Sequence, residues 1–189
     1  KDELQIGLPD LPRRIGRELP EVDSERGLDL GIIKLHPLFR TRVDYDDNIR
    51  LASEDAIEDV IFSQTPGIIA ETHLGDHRLE VGYGMEILNF VKEEDENSTN
   101  HMAHAQLDLN FRDLTVTLKD LFEKSTSRAF SETSARDKLV INTVDLLARY
   151  DRPRWAVEGG WRHNTLDHRT LGLQTADYEE DVIPVLGGY

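Results

Sequence analysis

The chain has 189 residues and a formal charge of −15, from 37 acidic against 22 basic side chains, which disfavours nucleic acid and anionic lipid surfaces as partners because both need a basic footprint. No cysteine occurs, so disulfides and thiol catalysis are excluded and a zinc site would have to use histidine and carboxylates. No apolar run of about 18 residues predicts a transmembrane helix, but 38% apolar residues suffice for a membrane β-barrel, in which alternate strand residues meet lipid.

No cationic stretch leads into an apolar one, so the chain reads as cytosolic or already processed. Residues 1–30 show neither a helical nor an alternating period. Gly7-Leu8-Pro9-Asp10-Leu11-Pro12 and Leu19-Pro20 mark an extended N-terminal segment or linker, open to reading as a disordered tail or as a docking or plug segment. From Gly31 onward apolar and polar residues alternate with the period of a strand. Ile33, Leu35, Phe39, Val43 and Tyr45 share one face; Lys34, His36, Arg40, Arg42 and Asp44 share the other. A second strand near 60–74 sets Val60, Phe62, Ile68, Ala70 and Leu74 against Ser63, Thr65, Glu71 and His73. A third near 77–90 sets Leu79, Val81, Tyr83, Met85 and Ile87 against Arg78, Glu80 and Glu86. The fourth is the most regular, with Ala103, Ala105, Leu107, Leu109 and Phe111 facing away from His104, Gln106, Asp108, Asn110 and Arg112. Leu114, Val116, Leu118 and Phe122 mark the fifth, and Val140, Val144, Leu146, Ala148 and Tyr150 the sixth. Trp155, Val157, Gly159 and Trp161 mark the seventh; Val182, Pro184 and Leu186 close the chain. The pattern predicts an all-β chain of about eight strands across 31–189, with no helix.

Short and long connections alternate. Tight turns are predicted at Gly75-Asp76, near Asp113 and at Asp151-Arg152-Pro153, and long polar loops at 46–59, 91–100, 124–137 and 164–180. An up-and-down meander gathers the short turns at one end and the long loops at the other. Outer-membrane barrels have this asymmetry, with periplasmic turns and longer extracellular loops. Tyr45, Phe62 and Phe122 fall on the apolar parity at the long-loop ends, and Phe111, Tyr150 and Trp155 at the short-turn ends. Two aromatic belts are what a bilayer asks for. Asn89, Asp120 and Asn142 break the apolar parity and Phe90 the polar one. Asp120 therefore requires either a place near the loop-end interface or a bulge.

If the apolar face meets lipid, the polar face lines a lumen, and its candidates are Lys34, His36, Arg40, Arg42, Glu71, Glu80, Glu86, His104, Gln106, Asp108 and Asn110. The basic first strand (Lys34, Arg40, Arg42) either pairs with Glu71, Glu80 and Glu86 or attracts anions. No nucleophile elbow, P-loop, HExxH or GxGxxG occurs, and Glu80, Glu86 and Asp108 read as lumen charge rather than an acid/base pair, so the chain is not read as an enzyme. His73 with His77 and His101 with His104 have no metal-ligand spacing. Asp44, Asp46 and Asn48 occupy the first ligand positions of an EF-hand-like loop with Asp55 at the twelfth, but Ile49 stands where the turn needs glycine, which leaves a weak calcium site in an acidic loop as the one cofactor candidate.

Four stretches resemble one family. Val43-Asp44-Tyr45-Asp46-Asp47-Asn48-Ile49 ends the first strand, and Thr65-Pro66-Gly67 opens an apolar run in the second. Leu79-Glu80-Val81-Gly82-Tyr83 follows a Gly-Asp-His turn, and His101 with His104 opens the fourth strand. In order and spacing these are similar to the beta-barrel porin 2 family of outer-membrane proteins, from about Gly31 to the end. The resemblance implies an antiparallel up-and-down transmembrane barrel of a Gram-negative bacterium, often associated with capsule or exopolysaccharide systems. The family's barrels are larger, which implies that 31–189 holds only the N-terminal part of one, with 1–30 as a periplasmic segment. The expected function is porin-like transport of a polar solute, or structural support for its passage, with links to polysaccharide export. Expected partners are outer-membrane lipid and polysaccharide or other outer-membrane and periplasmic proteins. A soluble acidic β-sandwich, acting as an interaction or carbohydrate-binding module, is the alternative.

Overall fold

A computed structural model describes residues 19, 23, 26–50, 54–126, 138–169 and 177–188, with side chains to Val185. The strands are β1 (Leu28–Asp29), β2 (Lys34–Asp46), β3 (Asp59–Leu74), β4 (His77–Phe90) and β5 (Ser98–Asn110). They continue with β6 (Leu114–Thr126), β7 (Lys138–Arg152), β8 (Trp155–His168), β9 (Tyr178–Val182) and β10 (Val185–Gly188). A single 3₁₀ turn, Glu94–Glu96, is the one helical element among the described residues.

All strands form one antiparallel sheet whose spatial order follows the chain. β9 and β10 both lie on β8, and Val182 opposite Arg162 is in register with Val185 opposite Gly159. They are one strand interrupted at Ile183-Pro184. Proline has no N–H for a ladder, yet its carbonyl still accepts from Gly160 N–H at 3.0 Å. The sheet therefore has nine strand positions and stays open: no pairing joins β9–β10 to β2 among the described residues. β1 covers only Leu35 and Lys34 of β2's outer edge.

The tight turn at Gly75-Asp76 forms, with Leu74 opposite His77 and Gly75 at φ 64°, which suits glycine at the first central position of a two-residue hairpin. The sequence-based strand ends need correction at the loop side. β5 begins at Ser98, β6 runs to Thr126 and β8 to His168, inside stretches expected to be loop. Apolar alternation stops there, at Thr99, Lys124 and Thr165, but ladder pairing needs only backbone groups and continues. Residues 127–137 and 170–176 of the expected loops, and 1–18 of the N-terminal segment, lie outside the described residues. Leu19 packs against Gly84, where any side chain would strike it.

The polar face of the sheet is the more enclosed one, and the apolar face carries many exposed residues. Among the described residues, buried hydrophobics are Ile49, Ile69, Phe90, Met102, Leu121 and Ile141, whereas His36, Asp59, Ser63, Glu71, Asn100, Glu123, Ser125, Thr143, Glu158, Arg162 and Asn164 are also buried. Phe39, Val43, Ile68, Val81, Leu118, Leu146, Trp155 and Trp161 are exposed on the opposite face. No second sheet packs against that apolar face among the described residues. Asp120 sits on it without a bulge, with Ala105 and Val144 as continuous register partners, and accepts a hydrogen bond from Asn142 Nδ2 at 2.6 Å. Two of the four residues that broke the parity, Asp120 and Asn142, thus satisfy each other.

Candidate functional site

Directly paired residues of neighbouring strands project from the same face. One register row of the polar face therefore reads Lys34, Glu71, Glu80, Gln106, Lys119, Asp145, Arg162. Glu71 and Glu80 are direct partners, an arrangement that repels unless a cation intervenes. Arg78 supplies it. Its guanidinium lies 3.3 Å from Glu71 Oε2, bonds Glu80, and reaches Asp108 Oδ2 at 3.9 Å. His36 Nε2 donates to the other Glu71 oxygen at 3.2 Å, and His104 Nε2 donates to Glu80 Oε1 at 2.8 Å. Asp108 is held further by Thr117 Oγ1 at 2.8 Å and Gln106 Nε2 at 2.9 Å. Glu71 is only 2% exposed, so its charge depends on these partners rather than on water. Gly82 makes the cluster possible, because a Cβ there would collide with the His104 ring.

The network continues along the same wall. Glu86 accepts from Ser63 Oγ at 3.3 Å and Asn100 Nδ2 at 3.1 Å. Arg162 meets Asp145 with a second bond at 2.9 Å, Thr143 Oγ1 donates to Asn164 Oδ1 at 2.9 Å, and Arg149 approaches Glu158 at 3.6 Å.

Of the residues expected on this wall, His36, Glu71, Glu80, Glu86, His104, Gln106 and Asp108 come together in these networks. Lys34 takes the register position opposite Glu71. Arg40 and Arg42 share the parity but are exposed on the edge strand; Arg42 Nε binds Asp44 at 2.6 Å instead of a glutamate of the neighbouring strands. Asn110 ties off the short-turn end, donating to the Asp76 carbonyl at 2.8 Å. Arg78, Asn100, Thr143, Glu158, Arg162 and Asn164 were not among the expected wall residues, although parity alone places each there.

The acidic loop after β2 is gathered by the chain's own cations. Arg50 binds Glu93 at 2.9 Å and Glu96 at 3.1 Å, clasping this loop to the 3₁₀ turn. Glu58 accepts from Lys92 Nζ at 2.7 Å and from Tyr45 OH at 2.6 Å. The Lys92 bond first, then the Tyr45 bond, hold the Glu58 carboxyl below its ordinary value, and the same pair raises Lys92. Asp59, 1% exposed, accepts backbone N–H bonds from Val91, Lys92 and Glu93 between 2.9 and 3.1 Å. Ile49, expected only to spoil an EF-hand, is the loop's buried anchor, its N–H bonded to the Ile57 carbonyl at 3.0 Å.

Asp44 holds Arg42, Asp46 Oδ1 accepts the Asn48 N–H at 3.0 Å, and Asp55 takes a left-handed φ of 55°. No three histidine or carboxylate groups are placed to share a metal among the described residues. His77 Nδ1 accepts from Asn110 N–H at 3.1 Å and His101 Nδ1 from Tyr83 OH at 2.8 Å. The aromatic positions at the short-turn end do cluster, with Tyr150 and Trp155 rings 5.6 Å apart, Arg152 over Tyr150 at 4.9 Å, and His77 5.2 Å from Phe111.

The arrangement gathers paired ions on one face of the sheet, with apolar residues turned the other way. No family model, no curated protein and no solved structure matches the chain.

Proposed function

We propose that this chain is the wall of an outer-membrane β-barrel, its polar face turned inward, serving the passage of a polar solute or as a structural support for it. The observation that carries this reading is the inversion of burial: Glu71, Thr143, Arg162 and Asn164 are enclosed while Val81, Leu118, Leu146 and Trp161 are exposed. In a soluble sandwich the enclosed face would be the apolar one. Leu79 to Ile87 carries outward apolar residues over about 27 Å of strand, or roughly 20 Å of height at a barrel tilt near 40°, close to the apolar band of such proteins. At that tilt a register row climbs about 3 Å per strand. The row Val81, Ala105, Asp120, Val144, His163, Asp181 then leaves the apolar band as it passes along the sheet, which suits its polar end.

An open sheet cannot face lipid at its edges, because unpaired N–H and C=O groups are costly there. The edges of β2 and β9–β10 run antiparallel, so they can close on each other or on further strands. Short turns then face the periplasm and the long loops the exterior. A link to polysaccharide export follows from the family resemblance alone.

The test is spin labelling. Labels at Leu107, Leu109, Val144 and Leu146 should relax with a lipid-soluble reagent, and labels at Gln106, Asp108 and Asp145 with a water-soluble one. Equal water access at both sets, in protein that stays monodisperse without detergent, would sink the barrel reading.

A further inference from the structure

We propose that the stretch carrying Leu19 docks inside the barrel as a plug seated on the inner wall and narrows the passage, an inference that rests on the membrane reading above. The seat is an apolar break in the polar face. One register row there reads Leu38, Gly67, Gly84, Met102, and these share parity with Lys34, Glu71, Glu80 and His104 on their own strands. Ile69, two residues from Gly67, is 1% exposed and Met102 7%. The adjacent glycines leave a pit between larger apolar side chains. Over Gly82 the corresponding space is taken by the His104 ring; over Gly84 it is taken by Leu19, whose Cδ2 would stand 2.7 Å from a Cβ there. A Cβ on Gly84 would project from the polar face, so Leu19 lies on that face.

A second contact fixes the path. Gly27, at φ 144°, lies so close to His36 that a Cβ would come within 2.8 Å of the imidazole, and His36 belongs to the same inner face. Between the two contacts the chain turns: Arg26 N–H donates to the Asp23 carbonyl at 2.9 Å, and its guanidinium lies 3.3 Å from the Asp23 carboxylate. β1 then pairs with Lys34 and Leu35 at the start of β2, the same end of the sheet as the Gly75-Asp76 turn. The row through Leu38 and Gly84 lies four residues, about 13 Å, further along the strands than the row through Lys34 and Glu80. The chain thus runs from Leu19, well inside the wall, out to the short-turn end. An apolar patch on a wetted wall is unfavourable unless something covers it. A leucine of the same chain does so at little entropic cost, because Leu28 of β1 follows nine residues later and holds it at an effective concentration of about millimolar. A polar solute has no match for this pit and must displace Leu19 or pass beside it.

The chain has no native cysteine, so engineered pairs report without background. In the full chain reconstituted in lipid vesicles, Leu19→Cys with Met102→Cys should link under mild oxidation. Leu19→Cys with Tyr83→Cys, next to Gly84 in sequence but on the outer face, should not. Vesicle swelling in a small sugar reads the passage. Leu19→Asp should shift the ratio of docked to free segment by about tenfold toward free and speed swelling, and the linked Leu19→Cys, Met102→Cys form should swell slowly until it is reduced. Gly84→Val fills the pit from the wall side, should also speed swelling, and serves if Leu19→Asp does not insert. Equal linking to both faces, no link to Met102, or a swelling rate that ignores these changes overturns the proposal, while lipid-soluble relaxation at Leu107 and Leu146 keeps the barrel reading intact. Equal water access at both sets of spin labels, in protein monodisperse without detergent, overturns both.

Discussion

Replacing Arg78 with Met would take the guanidinium from between Glu71, Glu80 and Asp108 and leave three carboxylates on one wall. Glu71 and Glu80 are direct cross-strand partners, so their repulsion would lose the cation set between them, with His36 and His104 still donating to one oxygen of each. A charge pair at 4 Å is worth about 4 kcal/mol before desolvation at an effective dielectric near 20. Breaking a buried pair by removing one partner costs about 3–5 kcal/mol net. Arg78 is 28% exposed and Glu71 2%, so water moderates one side of the contact and the lower end, about 3 kcal/mol, is expected. Equilibrium urea unfolding in lipid vesicles, followed by Trp155 and Trp161 fluorescence, would measure it. Adding Glu80→Gln to Arg78→Met should recover about 1–2 kcal/mol, because it removes the like charge opposite Glu71. A loss below about 1 kcal/mol, or no recovery in the double variant, would show that Arg78 does not hold this cluster together.

Leu107→Arg, in the middle of β5's apolar run, should cost about 2–4 kcal/mol in vesicles, while Gln106→Arg on the polar face should cost much less; similar costs would contradict the assignment of faces. Gly82→Ala should push the His104 ring away from Glu80 and destabilise by about 1–3 kcal/mol, visible as a changed His104 imidazole signal; an unmoved ring would refute the close approach. The clasp at Glu58 should loosen in acid. Its carboxyl is held below its ordinary value by Lys92 and Tyr45, so its contribution is complete above the unfolded carboxylate range and is lost as pH falls through the lowered value. A Tyr45 ring signal that follows this titration in the native chain and not in Glu58→Gln would confirm the clasp; an identical titration in both would refute it.

What the sequence could show depended on how far each contact reaches. Parity is local, so the faces of β2 to β8 were readable residue by residue. The hairpin at Gly75-Asp76 also sets register: once Leu74 opposes His77, Glu71 must oppose Glu80, and the need for Arg78 follows from residues only a few positions apart. Its third partner, Asp108, was not readable, because the register of β5 on β4 depends on a loop whose path is set by the Asp59 carboxylate and the Arg50 clasp. Those contacts join residues more than thirty apart between two acidic loops, where sequence offers charge but no period. The strand ends failed for a related reason: alternation records where apolar residues are needed, and pairing continues past that point.

The inversion of the faces also bears on how such a sheet is stabilised. A layer that encloses Glu71, Arg162 and Asn164 gains little hydrophobic stabilisation from that side, since paired buried ions roughly offset their own desolvation. The strand ladders hold the backbone, but in water their net contribution is small, because the unfolded chain bonds water equally well. The remaining apolar surface, with Phe39, Ile68, Val81, Leu118, Leu146 and Trp161 exposed, would be a liability in water and an association site there. Placed in hydrocarbon, the same surface is satisfied, and every unmade ladder bond becomes costly because no water replaces it. The polar network then acts chiefly on register: a slip of one residue on β4 would turn Arg78 to the apolar face and part it from Glu71. On the proposed membrane reading, the ion pairs choose the alignment of the strands and lipid supplies the stability.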